Sequence, residues 1–289
     1  MTELERFSAP IRAEFEEAGQ RLDDLLSAIT RNSALPDLYA RYVDPPVRHL
    51  FLAGGKLLRP LLVLLSARAV GELAPTDSPA VVRAAAAVEL IHTASLAHDD
   101  LVDSSCERRG VPSLHAAFSP TTAVLIGDLF YSRFFQELAG LPGTSPGIRV
   151  RLLDTFLAVT ARMCEGEILE EQMKADGREP SFEEYLHVTG TKTADLVSAC
   201  CRAGALLNGA QEGAVEALAG YGGALGLLFQ IADDLADGDA AFTNRPLLAM
   251  KADECSRTAE SLISVLPRNE ASAALRELPG HILSPISRR

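Results

Sequence analysis

Apolar residues recur at helical spacing along almost the entire chain of 289 residues, with alanine and leucine dominant among them. We find no run of alternating β-branched residues that would indicate a strand. Polar stretches rich in turn-forming residues separate the apolar segments, at residues 71–77, 140–147, 175–180, 207–213 and 237–246. The pattern therefore predicts an all-α protein, a bundle of roughly ten helices.

Two of the predicted helices begin with recognisable capping residues. Ser145 stands directly before Pro146, an arrangement typical of an N-cap followed by proline in the first turn. Ser181 and Glu184 predict a capping box for a helix that carries residues 185–207. No stretch has the composition of an interdomain linker, and no repeat is detectable, so we expect a single domain spanning the chain.

The balance of charges limits the partners that the protein can have. The chain carries 27 Lys and Arg against 39 Asp and Glu, a formal net charge of −12. A nucleic-acid backbone requires a basic surface, so we expect no nucleic-acid partner. Five cysteines without a CxxC pair indicate a reduced, cytoplasmic protein. The charged N-terminus lacks a secretory signal, and no uninterrupted apolar run has bilayer length, so we expect no transmembrane segment.

A first acidic cluster follows the apolar run 88–97. Asp99 and Asp103 are four residues apart, so on a helix they lie on one face, and Asp100 stands beside them. Like charges at this spacing repel each other unless a cation lies between them. The alternative is a solvated helix end, but the preceding apolar run favours a helix embedded in a core.

A second acidic cluster repeats this design, again after an apolar run. Asp233, Asp234 and Asp237 have the same spacing, and Gln230 shares the helical face of Asp233 and Asp237. If the two helices face each other across a cavity, their carboxylates converge where cations are needed. Oxygen ligands suit Mg²⁺, which usually completes its shell with water and substrate phosphate. The clusters therefore predict a phosphate-bearing ligand.

Basic residues supply the complementary charge. Arg108 and Arg109 follow the first cluster, and Lys56 and Arg59 lie near the start of an earlier predicted helix. Arginine binds phosphate oxygens with two parallel hydrogen bonds, and lysine acts as a compact charge. An arginine pair alone usually lies on the solvent-exposed surface, where it only increases solubility. Next to the glycine pair at 54–55, where a backbone can approach a ligand closely, the phosphate hypothesis is stronger.

With these motifs in this order, the chain resembles trans-isoprenyl diphosphate synthases of the polyprenyl synthetase family, and among them the medium- and long-chain polyprenyl diphosphate synthases. The resemblance covers roughly residues 40 to 240, through seven motifs at 54–60, 89–103, 108–115, 127–130, 165–172, 191–196 and 229–237. It implies an all-α, single-domain bundle of the isoprenoid synthase type around a central cavity, and a homodimer. It also implies a Mg²⁺-dependent prenyltransferase that condenses isopentenyl diphosphate with an allylic prenyl diphosphate.

The resemblance also assigns roles to individual residues. Asp99, Asp103 and Asp233 would bind Mg²⁺, and the full set of catalytic residues would be Asp99, Asp100, Asp103, Lys192, Asp233, Asp234 and Asp237. Isopentenyl diphosphate would be held by Lys56, Arg59, His92 and Arg109. The allylic diphosphate would be held by Arg108, Lys192, Thr193 and Gln230. Without the resemblance, His92 would be interpreted as a core histidine and Thr193 as an ordinary helix residue.

Small residues before the first acidic cluster predict a long product. Ala94 and Ser95 lie one turn before Asp99, where short-product members of the family carry an aromatic plug. At about 1.5 Å per residue, the helix from residue 80 to 99 offers roughly 28 Å of wall for a growing chain. We therefore expect a product longer than farnesyl diphosphate. Its floor would come from another helix, through Phe130, Tyr131 or Phe134.

The chain departs from the family pattern after the second acidic cluster. The lysine-bearing loop that family members carry there is missing, and the region after residue 238 is shortened. Losing these cations should weaken binding of the allylic diphosphate and lower the rate. An alternative is therefore a non-catalytic or partner-dependent subunit of a heteromeric synthase. A class I terpene cyclase is disfavoured, because the second cluster keeps the DDxxD spacing and the isopentenyl diphosphate residues are retained.

Overall fold

The computed structural model describes residues 7–31, 34–52, 54–55, 57–73, 78–237 and 242–284, and at Asp237 the backbone alone. Thirteen α-helices are present in this part of the chain: α1 (Arg12–Thr30), α2 (Pro36–Tyr42), α3 (Asp44–His49), α4 (Leu58–Ala69), α5 (Ser78–Val102), α6 (Leu114–Ala117), α7 (Pro120–Ala139), α8 (Pro146–Asp176), α9 (Phe182–Thr189), α10 (Asp195–Leu207), α11 (Glu212–Asp237), α12 (Arg245–Leu262) and α13 (Glu270–Leu283). The prediction of an all-α protein is confirmed.

The helices form two compact units, each assembled from segments that are distant in sequence. The larger unit draws on Met1–Arg12, Leu62–Val81 and Gly143–Arg289, within their described residues. The smaller unit draws on Ala13–Leu61 and Val82–Pro142. Each unit has a buried apolar core of its own. The expectation of a single domain stays a prediction.

Close helix packing in the larger unit depends on glycine. A Cβ at Gly222 of α11 would lie 2.7 Å from the Val197 carbonyl oxygen of α10, and one at Gly226 would lie 2.7 Å from Ala194 Cα. Such a contact is shorter than van der Waals packing allows, so only glycine permits this approach. Further along α11, its residues pack with those of α9 and α12 in an apolar cluster that contains Tyr185, Leu228, Ile231, Leu235, Phe242, Leu248, Ala252 and Cys255.

In the smaller unit, α5 is buried on most of its faces. Its alanines at positions 84–87, with Leu90 and Ile91, are at most 1% exposed, as are Phe130 and Phe134 of α7. Small side chains let neighbouring helices pack closely around α5, since the interior of a protein has little free volume. The segment that ends in the first acidic cluster is therefore a core helix, as the apolar run predicted.

The predicted caps are present, but two local structures differ from the sequence analysis. Ser145 Oγ accepts a hydrogen bond from the Ile148 amide, and Ser181 with Glu184 forms the capping box. The uninterrupted helix predicted over 185–207 contains a π-helical turn at Gly190–Ala194. The expectation of no strands is also wrong in one place, because β1 (Glu107–Arg108) and β2 (Val111–Pro112) form a short antiparallel hairpin. A hairpin this short leaves no alternating pattern to detect.

Two described helices satisfy a length and hydropathy criterion for crossing a bilayer, Ser78–Val102 and Glu212–Ala236. Of the apolar window in the first helix, 83% is buried inside the protein, and half of the window in the second is buried. Long apolar helices are common in the cores of soluble proteins, so the criterion is weak evidence for a membrane span. The expectation of no transmembrane segment stays a prediction.

Candidate functional site

The first acidic cluster lies at the C-terminal end of α5. The Asp103 amide donates a hydrogen bond to the Asp99 carbonyl at 2.8 Å, so the helical path continues through Asp103. It ends at Ser104, whose φ of +54° is left-handed. Asp99 is partly exposed and Asp103 is exposed. The structure therefore places both carboxylates on one helical face, as their spacing predicted.

Asp100, between them in sequence, is held by Arg108. Its side chain is buried, and Arg108 Nε lies 2.9 Å from each carboxylate oxygen, with Nη2 2.7 Å from Oδ1. Burial lowers the pKa of Arg108, but the hydrogen bond and the charge of Asp100 outweigh that effect and raise it. The contact therefore fixes the position of the Arg108 guanidinium beside the first acidic cluster.

The hairpin after α5 determines where the two arginines lie. Its strands pair Glu107 with Pro112 and Arg108 with Val111, so the turn consists of Arg109 and Gly110. Both turn residues have positive φ, +52° and +79°, as a two-residue type I′ turn requires.

The turn brings Arg109 to the glycine pair at 54–55. Arg109 Nη1 donates a 2.6 Å hydrogen bond to the Gly54 carbonyl. Left-handed backbone occurs on this side as well, with φ of +61° at Gly54 and +50° at Leu57. At Leu57, which carries a side chain, this conformation is strained, and strain of this kind often accompanies a binding site. The predicted partner Lys56 lies outside the described residues.

Glu89, which the sequence analysis did not single out, lies beside this glycine pair. It is 6% exposed, and its Oε2 has no hydrogen-bond partner among the residues that the structure describes. A Cβ at Gly55 would lie 3.4 Å from Glu89 Oε1 and 3.9 Å from Arg109 Nη1. Burial raises the pKa of Glu89, while the charges of Arg59 and Arg109 oppose that rise. Glu89 could have been detected from the sequence, because it is the only acidic residue within the apolar run 88–97.

His92 belongs to the same group of charges. Burial lowers its pKa well below the usual value, and the charges of Arg59, Arg109 and Arg108 lower it further. The imidazole is therefore neutral at pH 7. The predicted isopentenyl diphosphate residues Arg59, His92 and Arg109 thus interact within the smaller unit.

The second acidic cluster lies at the C-terminal end of α11. Asp233 is exposed, and the side chain of Asp237 lies outside the described residues. Asp234 Oδ2 accepts a 2.5 Å hydrogen bond from the Tyr185 hydroxyl, and Asp234 Oδ1 accepts one of 2.9 Å from Gln230 Nε2. The Thr193 hydroxyl donates to Gln230 Oε1 at 3.2 Å. The structure therefore brings together Thr193, Gln230 and Asp234, and adds Tyr185, for which the sequence held no signal.

The π-helical turn carries Lys192, which is ion-paired with two glutamates of α8. Its Nζ lies 2.6 Å from Glu167 Oε2 and also contacts Glu170 Oε2. Burial lowers the pKa of Lys192, but hydrogen bonds to Glu167 and Glu170 outweigh it and raise the pKa. A Cβ at Gly166 would overlap the Thr191 hydroxyl, so a glycine is required where α8 meets this turn. The acids of the motif at 165–172 were the available signal for this pair.

The three predicted chain-length residues are buried in the smaller unit. Ala94 and Phe130 are fully buried, and Ser95 is 8% exposed, with its hydroxyl donating to the His92 carbonyl at 2.8 Å. The ring centroids of Phe130 and Phe51 lie 6.0 Å apart. Small side chains on α5 and aromatic ones on α7 are thus part of this core.

The two acidic clusters share one arrangement. In each, the second aspartate, Asp100 or Asp234, is held by protein donors, while Asp233 and Asp103 present exposed carboxylates and Asp99 a partly exposed one. Carboxylate oxygens at accessible helix ends are the ligand type that Mg²⁺ uses, with water and phosphate completing the shell. Asp99 and Asp103 in the smaller unit, and Asp233 in the larger unit, are therefore each of the ligand type that suits the predicted metal.

Comparison with known proteins identifies a family that the chain resembles along most of its length. The family model described as polyprenyl synthetase matches residues 40–248. A short chain isoprenyl diphosphate synthase of Methanothermobacter thermautotrophicus is 35% identical, over 89% of this chain and 78% of that protein. A nonaprenyl diphosphate synthase of Mycobacterium tuberculosis is 36% identical, over 74% of this chain and 62% of that protein. The crystal structure of a Caulobacter crescentus polyprenyl synthase complexed with calcium and isoprenyl diphosphate has a TM-score of 0.80 at 26% identity, covering 98% of each chain.

Proposed function

The chain belongs to the polyprenyl synthetase family of prenyltransferases, and on that premise we propose that it is a Mg²⁺-dependent trans-polyprenyl diphosphate synthase. It condenses isopentenyl diphosphate with an allylic prenyl diphosphate into a linear product longer than farnesyl diphosphate. The observation that carries the proposal is the contact between Asp100 and Arg108, 2.9 Å at two points. Through it, carboxylates suited to a cation and guanidiniums suited to phosphate lie side by side in one unit.

The residues of the smaller unit bind isopentenyl diphosphate. Arg59 and Arg109 bind the negatively charged diphosphate, and His92, whose imidazole is uncharged, donates a hydrogen bond without contributing a further positive charge. The exposed backbone at the glycine pair 54–55 lets a phosphate approach closely. Lys56 completes this set.

The allylic diphosphate is served by two kinds of residue, the carboxylates that would hold the metal and the donors that would contact its phosphate oxygens. Asp99, Asp103 and Asp233 would hold Mg²⁺, which would supply Lewis-acid stabilisation of the negative charge on the leaving diphosphate. Lys192 and Thr193 contact the allylic diphosphate, with Gln230 and Arg108 also serving it. The allylic C–O bond ionises, the isopentenyl double bond attacks the carbocation, and a proton is lost to the departing diphosphate. Apolar walls exclude water, which would otherwise quench the cation.

Two residues before the first cluster support the product length. Ala94 and Ser95 are small and lie on the helix that ends at Asp99, so no aromatic side chain blocks that position. The named relatives include a short chain and a nonaprenyl synthase, so similarity to them does not determine the length of this product. Phe130 of the same core is the proposed floor.

We propose further that the enzyme acts as a cytoplasmic homodimer. Three large apolar residues of α8, Val150, Leu157 and Ile168, are 64%, 55% and 63% exposed. Their spacing of seven and eleven residues places them on one helical face. An apolar stripe of this kind is typical of a surface that another copy covers.

A partner-dependent subunit is the second candidate function. Lys192, which is assigned to the allylic diphosphate, is already ion-paired with Glu167 and Glu170. The loop lysines that support this diphosphate in the family are missing from the sequence after Asp237. Both observations favour a chain that needs another protein to supply positive charge.

One incubation tests these functions. The purified chain is mixed with Mg²⁺, labelled isopentenyl diphosphate and geranyl, farnesyl or geranylgeranyl diphosphate, and the products are chromatographed. Linear labelled prenyl diphosphates longer than farnesyl support the proposal, and an Asp99→Asn, Asp103→Asn double variant is the inactive control. Turnover that requires an added synthase subunit supports the second candidate. Cyclic hydrocarbon from the primer alone would contradict both.

A further inference from the structure

Tyr185 of α9 lies at one end of a group of three aromatic rings beside the second acidic cluster. Its side chain is 6% exposed, and its ring stacks on Phe242, with centroids 5.8 Å apart and an interplanar angle of 29°. Phe242 in turn packs on Phe182, with centroids 5.4 Å apart. Buried aromatic rings in contact have few alternative rotamers. The hydroxyl of Tyr185 is therefore held in one place.

That hydroxyl begins a chain of three hydrogen bonds. It donates to Asp234 Oδ2 at 2.5 Å, Gln230 Nε2 donates to Asp234 Oδ1 at 2.9 Å, and Thr193 Oγ1 donates to Gln230 Oε1 at 3.2 Å. The participants come from α9, α11 and the π-helical turn, all of the larger unit.

The chemistry of the groups fixes the direction of this chain. An ionised carboxylate only accepts, so Gln230 must turn its NH₂ toward Asp234 and its carbonyl oxygen toward Thr193. Tyr185 donates to the other oxygen of the same carboxylate, and this hydrogen bond restricts rotation about the terminal torsion that sets the orientation of the Gln230 amide.

We propose that Tyr185 is a positioning residue for the allylic half of the site, acting through Asp234 on the orientation of Gln230 and Thr193. The inference rests on the proposed function, in which Gln230 and Thr193 contact the allylic diphosphate. It deepens that function by assigning Asp234 a role in orienting these donors. It also gives Phe242, which lies in the shortened region after residue 238, a role in supporting Tyr185.

The test compares two tyrosine variants of the full-length chain. Tyr185→Phe keeps the ring stack and removes the hydroxyl. The matched control is Tyr221→Phe, which removes a buried hydroxyl of the same unit, one that donates to the Leu275 carbonyl at 2.7 Å. For both variants, KM is measured for each substrate, and Mg²⁺ with inorganic pyrophosphate is titrated calorimetrically.

We expect Tyr185→Phe to raise the KM for the allylic diphosphate and weaken pyrophosphate binding about fivefold, the size of one lost hydrogen bond. The KM for isopentenyl diphosphate stays within about twofold of wild type, and Tyr221→Phe changes neither KM. Equal effects on both substrates, or identical behaviour of the two variants, would overturn the inference.

The calorimetric arm separates this inference from the proposed function. If the wild-type chain forms no prenyl diphosphate, the proposed function fails, while the titration still decides the role of Tyr185. Weaker pyrophosphate binding by Tyr185→Phe than by Tyr221→Phe supports the inference. Equal binding by the two variants, or no binding by the wild type, overturns it.

Discussion

Arg108 Nε lies 2.9 Å from each carboxylate oxygen of Asp100. The sequence had assigned Arg108 to the allylic diphosphate and Asp100 to the catalytic aspartates. An arginine expected to bind substrate phosphate is therefore already paired with an aspartate of the adjacent cluster. The pair ties the hairpin to the end of α5, so it fixes the position of the arginine before any ligand arrives. Its first consequence is for stability.

We expect Arg108→Ala to lower the free energy of unfolding by about 2 kcal/mol, because Asp100 is buried and would lose its charged partner. Urea denaturation measures the change. The matched control is Arg151→Ala, whose partner Glu212 is largely exposed, and it should cost less than about 1 kcal/mol. Equal losses in the two variants would contradict a structural role for the Asp100–Arg108 pair.

The lowered pKa of His92 predicts a stability that depends on pH. In the unfolded chain, histidine binds a proton below about pH 6.5, whereas the folded chain keeps His92 neutral to lower pH because of burial and the nearby arginines. The unfolded state therefore binds more protons in that interval, and the free energy of unfolding falls as pH drops below about 6.5.

We expect His92→Gln to flatten this dependence, since glutamine stays neutral throughout. Urea denaturation between about pH 5 and 7.5 measures it. The exposed His187 provides the control, and His187→Gln should leave the slope of wild type unchanged. A wild-type slope retained by His92→Gln would show that another group is responsible.

Because Lys192 is ion-paired with Glu167 and Glu170, removing one of these carboxylates should lower the KM for the allylic diphosphate, whereas most active-site substitutions raise it. Glu170→Gln removes one negative charge that competes with substrate for Lys192, so the KM for the allylic diphosphate should fall by about two- to threefold. Steady-state kinetics measure it. Glu165→Gln, which changes an exposed carboxylate of the same helix, is the control and should leave this KM unchanged. A higher KM for Glu170→Gln would mean that the carboxylate orients Lys192 rather than occupying it.

Ala94 offers a test of product length. Ala94 is fully buried, so Ala94→Phe brings a large ring into the core one turn before Asp99 and should shorten the product. Chromatography of the prenyl products measures it, and thermal unfolding reports whether the core accepts the ring. If Ala94→Phe does not fold, Ala94→Leu replaces it. Unchanged product length in a folded, active variant would refute the proposed path of the growing chain.

Much of the local structure could be predicted from the sequence, because it depends on residues close together in the chain. The i, i+4 spacing placed Asp99 and Asp103 on one helical face, since helical geometry determines which residues are neighbours. The capping box of Ser181 and Glu184 was predictable for the same reason, because its partners are three residues apart. The apolar run before the first cluster also predicted that α5 is a core helix.

The partners of the site residues depended on the tertiary structure. Tyr185 and Asp234 are 49 residues apart, and Lys192 and Glu170 are 22 apart, so no periodic pattern relates them. The π-helical turn was also invisible, since its apolar spacing resembles that of an α-helix. Sequence by itself determined which residues carry the charge and which face of its helix each occupies, because those properties are local. Only the packing of distant segments decided which charges are paired, because burial removes water and makes contact with a specific partner necessary.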